Sequence, residues 1–128
     1  MTLRYPYDTS YDGPAFPVID LSLSGRRQGT IVALTGLLDS GADATMIPRQ
    51  VLEAIDARRT DVAWARTVAG NRYRVNLHLV TMTVGSIRLP SLEVISNAQT
   101  DEIIIGRDVL NQLSVTLNGP ALEVEIGE

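Results

Sequence analysis

The fold is decided by the stretch Thr35-Gly36-Leu37-Leu38-Asp39-Ser40-Gly41-Ala42-Asp43-Ala44-Thr45-Met46-Ile47-Pro48. A short apolar run, residues 31–38, brings Asp39 to a Ser-Gly turn, and a second apolar pair follows after the turn. This pattern predicts a carboxylate at the end of a buried strand, with rigid backbone behind it and open space in front. Gly41 lets backbone and substrate come close to the carboxylate, because a Cβ at that position would crowd both.

In a second stretch of the chain, an apolar run is again followed by glycine and charged residues: Glu102-Ile103-Ile104-Ile105-Gly106-Arg107-Asp108-Val109-Leu110. Here an apolar strand meets Gly-Arg, and a short helical pattern then continues through Leu113. Taken alone, this string is also typical of an ordinary strand–helix junction with a surface arginine. Its position after the first stretch, with a candidate hairpin between the two, favours a shared site.

These two stretches resemble the signatures of one protein family. The first is similar to the active-site loop of the aspartic peptidases, and Ala42-Asp43 makes it similar to the retropepsin branch, the single-domain retroviral type. The second is similar to the retropepsin string Ile-Ile-Gly-Arg-Asn/Asp-Leu-Leu. The resemblance covers roughly residues 17–126. It implies an all-β, barrel-like fold with one or two short helices and an active site at a two-fold dimer interface.

The resemblance also implies a role for individual residues. Asp39 is the expected catalytic residue, and Ser40, Gly41 and Arg107 are expected to support its loop. We expect the Ser40 hydroxyl to bond to another loop, and Arg107 to form a partly buried ion pair with Asp43. The residues expected to line the substrate site are Gly41, Ala42, Asp43, Met46, Val68, Ala69, Gly70 and Ile104.

The whole chain of 128 residues is expected to form one domain. Residues 1–16 hold three of the four tyrosines and predict an extended N-terminal arm of irregular backbone, docked on apolar surface. Residues 67–75 match the position of the retropepsin flap, a hairpin that closes over bound peptide. Residues 114–126 predict an amphipathic hairpin, and the resemblance implies that a dimer partner covers its apolar face.

The chemistry explains why one aspartate implies two chains. Hydrolysis of a peptide without a metal or covalent intermediate needs one group to take a proton from water and another to protonate the carbonyl oxygen. Two carboxylates that share one proton do both, as in the aspartic protease dyad. Asp101 and Asp108 lie in no turn comparable to that of Asp39. The sequence therefore predicts a homodimer in which the second copy supplies its own Asp39.

Composition narrows the function classes. The net charge is −4 and the chain contains no cysteine, so a bulk nucleic-acid binder, a membrane-surface binder and a thiol or zinc–thiolate enzyme are disfavoured. There is no P-loop, no G-x-G-x-x-G and no nucleophile elbow. We expect no cofactor and no metal, a peptide or protein substrate, and a soluble cytoplasmic protein.

Several alternatives remain at this point. The chain can instead be a non-catalytic retropepsin-fold module that binds peptides or dimerises, or an unrelated small β-barrel binding protein. Trp64 is equally compatible with the core and with the base of the flap, and His78 is expected to be an exposed strand residue. Asp101 and Glu102 predict a preference for a basic substrate residue nearby, and the alternative interpretation is that they are solvated turn charges.

Overall fold

The computed structural model describes residues 1–128. It contains two short helices, α1 (Arg49–Ala54) and α2 (Arg107–Leu110). The ten strands are β1 (Thr2–Pro6), β2 (Val18–Ser24), β3 (Val32–Leu38), β4 (Met46–Pro48), β5 (Arg58–Arg66), β6 (Arg72–Val84), β7 (Ile87–Asn97), β8 (Ile104–Ile105), β9 (Ser114–Asn118) and β10 (Glu123–Gly127). The all-β prediction is confirmed.

Seven strands form one sheet that closes on itself. Their order is β2-β3-β8-β4-β7-β6-β5, and an additional antiparallel pairing of β2 with β6 closes the barrel. β8 pairs in parallel with β3, and β4 pairs in parallel with β7. The two apolar stretches singled out in the sequence therefore become neighbours at one point of the barrel, where β3, β8 and β4 lie side by side.

The barrel encloses a single apolar core. Alternate residues of β2 point inward, and Ile19 and Leu23 are completely buried, as period-2 patterning dictates. α1 begins after Pro48, whose fixed φ suits a helix start, and it buries Leu52 against the barrel. Ile55, one residue after the helix, is also completely buried.

β7 runs without a break from Ile87 to Asn97 and includes Pro90 and Ser91. Ser91 has a φ of +56°, and the β6–β7 register shifts between Val80 and Met82. A bulge thus absorbs the irregular residues while the sheet continues.

A second sheet of three strands, β1-β10-β9, covers one side of the barrel. The expectation of irregular backbone in the N-terminal arm is wrong for residues 2–6, because β1 pairs with β10 from Thr2–Gly127 to Pro6–Glu123. The C-terminal hairpin is formed as predicted, but most of its apolar face is covered within the chain. Val124 and Ile126 are completely buried in the core, so they need no partner molecule.

The two helices are short, and neither is long and apolar enough to cross a membrane.

Candidate active site

Asp39 follows the last residue of β3, and backbone hydrogen bonds fix its position. Its N–H donates to the Ile105 carbonyl oxygen at 2.9 Å, and the Leu38 N–H donates to the Pro17 carbonyl oxygen at 3.1 Å. The Leu37 N–H donates to Ile103 at 2.8 Å. Because β8 extends the pairing of β3 up to the aspartate, the backbone behind the carboxylate is held firmly while the Asp39 side chain is exposed.

The turn after Asp39 is organised by the aspartate itself. The Gly41 N–H donates to Asp39 Oδ1 at 2.9 Å, and the Ala42 N–H donates to the Asp39 carbonyl oxygen at 3.1 Å. A Cβ on Gly41 would lie 3.1 Å from Asp39 Oδ1, which is tighter than ordinary contact. A side chain at this position would therefore press on the carboxylate, as expected from the sequence.

Arg107 fixes the Asp39 loop through three contacts. Its Nη1 donates to the Ser40 carbonyl oxygen at 2.7 Å, its Nη2 pairs with Asp43 Oδ1, and its own N–H donates to the Ala42 carbonyl oxygen at 2.9 Å. The pair with Asp43 was expected to be partly buried, and this is wrong, since the Asp43 side chain is 90% exposed. The Ser40 hydroxyl makes no hydrogen bond within the chain, and its bond to another loop stays a prediction.

The buried polar anchor of the loop is a pair that sequence reasoning missed, Thr45 and Asp108. The Thr45 hydroxyl donates to Asp108 Oδ1 at 2.7 Å, and its N–H donates to Oδ2 at 3.0 Å. The same hydroxyl oxygen accepts from the Gly106 N–H at 3.1 Å. Thr45 is completely buried, and the signal available in the sequence was its place in an otherwise apolar strand start.

Gly106 allows the two stretches to meet. A Cβ on this residue would lie 2.6 Å from the Ala44 carbonyl carbon and 3.0 Å from the Ala42 oxygen. Both neighbours are backbone atoms that cannot move aside. Glycine is therefore required for the Asp39 loop to pack against the start of α2.

The residues expected to bind substrate fall into two groups. Gly41, Ala42 and Asp43 lie on the Asp39 loop, and Met46 pairs with Ile104 across β4 and β8 beside it. Residues 68–70 lie apart from these, at the tip of the hairpin formed by β5 and β6. The tip is closed by the Gly70 N–H, which donates to the Thr67 carbonyl oxygen at 2.9 Å, and it makes no hydrogen bond to the Asp39 loop.

That hairpin is longer than the predicted segment 67–75. β5 pairs with β6 from Arg58–Leu79 to Arg66–Arg72, with a register shift between Arg59 and Asp61, so the segment before residue 67 is a strand of this hairpin. Trp64 lies on this strand with 60% of its surface exposed, and it therefore belongs to the hairpin and not to the core. Whether the hairpin acts as a flap stays a prediction.

An acidic cleft lies beside β3. The cleft has a volume of about 400 Å³ and is lined by Asp8, Ser10, Tyr11, Asp12, Val18, Thr35, Leu37, Asp101, Glu102 and Ile103. Hydrogen bonds from the Ser10 hydroxyl and N–H lower the pKa of Asp8 below its usual value. Four carboxylates therefore line this cleft together with the apolar residues Val18, Leu37 and Ile103.

The single histidine belongs neither to the Asp39 loop nor to this cleft. His78 lies half-buried on β6 and lines a polar cavity beside α1, and its Nδ1 is buried without a hydrogen-bond partner. The expectation of an exposed residue is therefore wrong. Burial, assisted by the nearby charge of Arg59, lowers the pKa of His78. No group of three or more His, Cys, Asp or Glu side chains is arranged to hold a metal ion.

Comparison with known proteins agrees with this geometry. A family model described as "gag-polyprotein putative aspartyl protease" matches residues 28–112, which span both the Asp39 loop and the Gly106–Arg107 junction. The chain belongs to this aspartyl protease family. Within the family match lie β3, the whole β5–β6 hairpin and α2. No curated protein matches the sequence.

Solved structures of aspartyl proteases share the fold. A retropepsin-like aspartic protease from Rickettsia conorii superposes with a TM-score of 0.63 at 9% identity, over 98% of this chain and 91% of that one. The EIAV protease, in complex with the inhibitor HBY-793, gives a TM-score of 0.62 at 19% identity, over 80% of this chain and 91% of that one. The resemblance to retropepsins that the two stretches indicated is confirmed at the level of family and fold.

Proposed function

We propose that this protein is an aspartic endopeptidase whose catalytic dyad consists of Asp39 from each of two identical chains. The observation that carries the proposal is the exposed carboxylate of Asp39, which stands on a fixed backbone at the end of β3 and accepts the Gly41 N–H at 2.9 Å. A carboxylate needed only for structure would be paired or buried. This one accepts a single local bond and otherwise faces outward.

The reaction assigns one proton to two carboxylates. The ionised member takes a proton from the attacking water while the protonated member donates its own proton to the carbonyl oxygen of the scissile bond. Two carboxylates within hydrogen-bond distance cannot both ionise, so the pair holds this single proton over a range of pH. Each chain supplies one Asp39, and the site is therefore complete only in the dimer.

The surface beside the loop supports dimerisation. An apolar cavity of about 290 Å³ adjoins Ser40 and is lined by Leu38, Leu110, Leu113, Val115 and Leu117. Leu117 is 57% exposed, although it is one of the apolar residues that line this cavity. A second chain packed here would cover the patch and bring the two Asp39 loops together across a two-fold axis. The outer edge of β9 is also free to pair, while β1 occupies the outer edge of β10.

The surroundings of Asp39 favour a particular kind of substrate. Met46 and Ile104 provide half-buried apolar surface next to the loop, which suits an apolar residue at the scissile bond. The cleft lined by Asp8, Asp101 and Glu102 suits a basic residue close to it. The expected substrate is thus an unfolded or extended peptide with an apolar residue at the cut and a lysine or arginine nearby.

The test combines solution mass with a peptidase assay on an unfolded protein between about pH 3 and pH 7, a range that brackets carboxylate titration. The proposal expects a dimer and cleavage that depends on acid. A dimer without cleavage would instead support a peptide-binding module on this fold. A monomer with full activity would contradict the two-chain dyad.

A further inference from the structure

The outer face of the β5–β6 hairpin carries a group of side chains that the proposed catalysis does not use. Directly opposed residues of antiparallel strands project to the same side, and the cross-strand pairs are Val62–Asn76, Trp64–Arg74 and Arg66–Arg72. All six of these residues are exposed. The opposite face carries Val75, which is 7% exposed and points toward the barrel. The face with Trp64 and the arginines, here called the Trp64 face, is therefore directed to solvent.

The charge of the hairpin is opposite to that of the rest of the protein. Residues 58–74 contain five arginines and one aspartate, a net charge of +4, and because the whole chain carries −4 the remaining residues carry −8. None of these five arginines forms an ion pair. The arginines that do form one, Arg4, Arg26, Arg49 and Arg107, all lie elsewhere in the chain.

Trp64 is held among these unpaired charges. The Arg72 guanidinium lies 5.0 Å from the centroid of the Trp64 ring, a cation–π contact between two exposed residues. The ring nevertheless remains 60% exposed. A large exposed aromatic side chain among arginines is the composition found at the energetic centres of protein interfaces.

We propose that the Trp64 face is a docking surface for an acidic, extended segment of a protein partner, separate from the catalytic turn. The guanidinium groups of Arg66, Arg72 and Arg74 are each free to bind a carboxylate with two parallel hydrogen bonds, and Trp64 offers an apolar surface between them. The face runs from residue 62 to residue 66, about 13 Å along the strand, which matches roughly four or five residues of extended peptide.

Charge complementarity favours a short acidic peptide over a nucleic acid. A long polyanion would extend beyond the hairpin and meet the rest of the surface, which carries −8. A segment of only a few residues would contact the arginines of the hairpin without reaching the negatively charged surface beyond them. Binding of single-stranded nucleic acid, which also uses aromatic and basic side chains, is therefore the outcome that the experiment must separate.

The test measures the anisotropy of fluorescein-labelled hexaglutamate added to the full chain at low salt. We expect saturable binding that weakens as salt is raised, because exposed charges are screened. Trp64 is the only tryptophan, so its emission should change in the same titration and locate the peptide on the hairpin. Hexaglutamine is the neutral control peptide.

The matched variants remove two charges each. Arg72→Gln with Arg74→Gln should weaken hexaglutamate binding by about tenfold or more, since each loses a charge-assisted contact. Arg27→Gln with Arg88→Gln removes two exposed, unpaired arginines outside the hairpin and should change binding by less than about twofold. Trp64→Ala, followed by anisotropy, should also weaken binding.

Three results would overturn the proposal. The first is the absence of saturable hexaglutamate binding at low salt. The second is an equal loss in the two double variants, which would mean that only net charge matters. The third is tighter binding of a ten-residue oligothymidine than of hexaglutamate, which would assign the face to nucleic acid. None of these measurements depends on peptidase activity.

Discussion

Thr45 and Asp108 are joined by two hydrogen bonds across 63 residues of sequence, from the threonine N–H to Oδ2 at 3.0 Å and from its hydroxyl to Oδ1 at 2.7 Å. Oδ1 also accepts the Val109 N–H at 2.9 Å, and the threonine oxygen accepts the Gly106 N–H. The Asp108 carboxylate thereby accepts backbone N–H groups from the end of the Asp39 loop and from α2, and the Thr45 hydroxyl accepts the N–H of Gly106 just before α2. The loop and the helix are consequently a single hydrogen-bonded unit.

Asp108→Ala should destabilise the protein markedly, because it leaves the buried Thr45 N–H and hydroxyl without an acceptor. The expected loss in the free energy of unfolding is about 1–3 kcal/mol. Thr45→Val should give a similar loss, since the Gly106 N–H then has no partner. Chemical denaturation measures both. Asp101→Ala, on an exposed residue without a hydrogen bond, is the control and should stay within about 0.5 kcal/mol of wild type.

Asp39→Asn should abolish peptide hydrolysis and leave the dimer intact. The amide has the shape of the carboxylate but cannot hold the proton that the two Asp39 carboxylates share in the proposed mechanism. Cleavage of an unfolded protein at acid pH and solution mass are the two measurements. Normal cleavage by this variant would refute the proposed mechanism.

Arg107→Ala should reduce activity more than stability. With the Asp43 side chain 90% exposed, the ion pair itself contributes only about 0–1 kcal/mol, not the larger value of a buried pair. The variant also loses the hydrogen bond from Arg107 to the Ser40 carbonyl oxygen, which fixes the turn directly after Asp39.

Asp43→Asn separates the effect of the Arg107–Asp43 ion pair from that of the Arg107–Ser40 hydrogen bond, since it removes the first and keeps the second. Its unfolding free energy should lie within about 1 kcal/mol of wild type, and its kcat should exceed that of Arg107→Ala. Equal kcat values for the two variants would mean that the ion pair, and not the bond to Ser40, positions the turn.

Leu117→Glu and Val124→Glu form a matched pair that tests where the chains meet. Leu117 is exposed beside the apolar cavity, so its replacement should give a folded, inactive monomer. Val124 is completely buried in the core of one chain, so its replacement should cost about 3–5 kcal/mol and unfold it. Solution mass, circular dichroism and activity distinguish these outcomes. An active dimer of Leu117→Glu would place the interface elsewhere.

Stability should decrease on acidification in a way that depends on His78. Its pKa in the folded protein lies below the ordinary value of 6.5, so the unfolded chain binds more protons than the folded chain in this range. The resulting contribution to stability is fully present above pH 6.5 and is lost as the pH falls toward the folded pKa. His78→Gln should flatten the pH dependence of the unfolding free energy just below this value. An unchanged slope would contradict the assignment.

The parts of the fold that sequence predicted well are those in which one residue type serves one local need. Gly106 marks the point where the Asp39 loop packs against the start of α2, because a Cβ there would overlap backbone atoms. The apolar residues that end β3 also mark the part of that strand that is buried. Pro48 likewise marked the start of α1. These signals are local, and the resemblance to retropepsins rests on them.

The features that sequence analysis missed depend on contacts between residues that are far apart in the sequence. Nothing near Thr45 indicates that Asp108 will satisfy it, and the alternation of Val124 and Ile126 does not say whether the chain or a partner covers them. The tyrosine-rich start of the chain looked irregular because the strand to which it pairs lies more than a hundred residues away. The exposure of a side chain, such as that of Asp43, also depends on tertiary structure and cannot be inferred from the spacing of residues in the sequence.

The pairing of β1 with β10 has a topological consequence. The Glu128 N–H donates to the Met1 carbonyl oxygen at 3.0 Å, so the two ends of the backbone are adjacent. A short glycine linker would join them into a ring, and the chain can then be reopened at another exposed turn. Reopening at Gly70, where the φ is +90° and no atom crowds the residue, would give a circular permutant with the hairpin split at its tip. Such a permutant keeps every strand of the barrel, and it would separate what the intact hairpin does from what the barrel does.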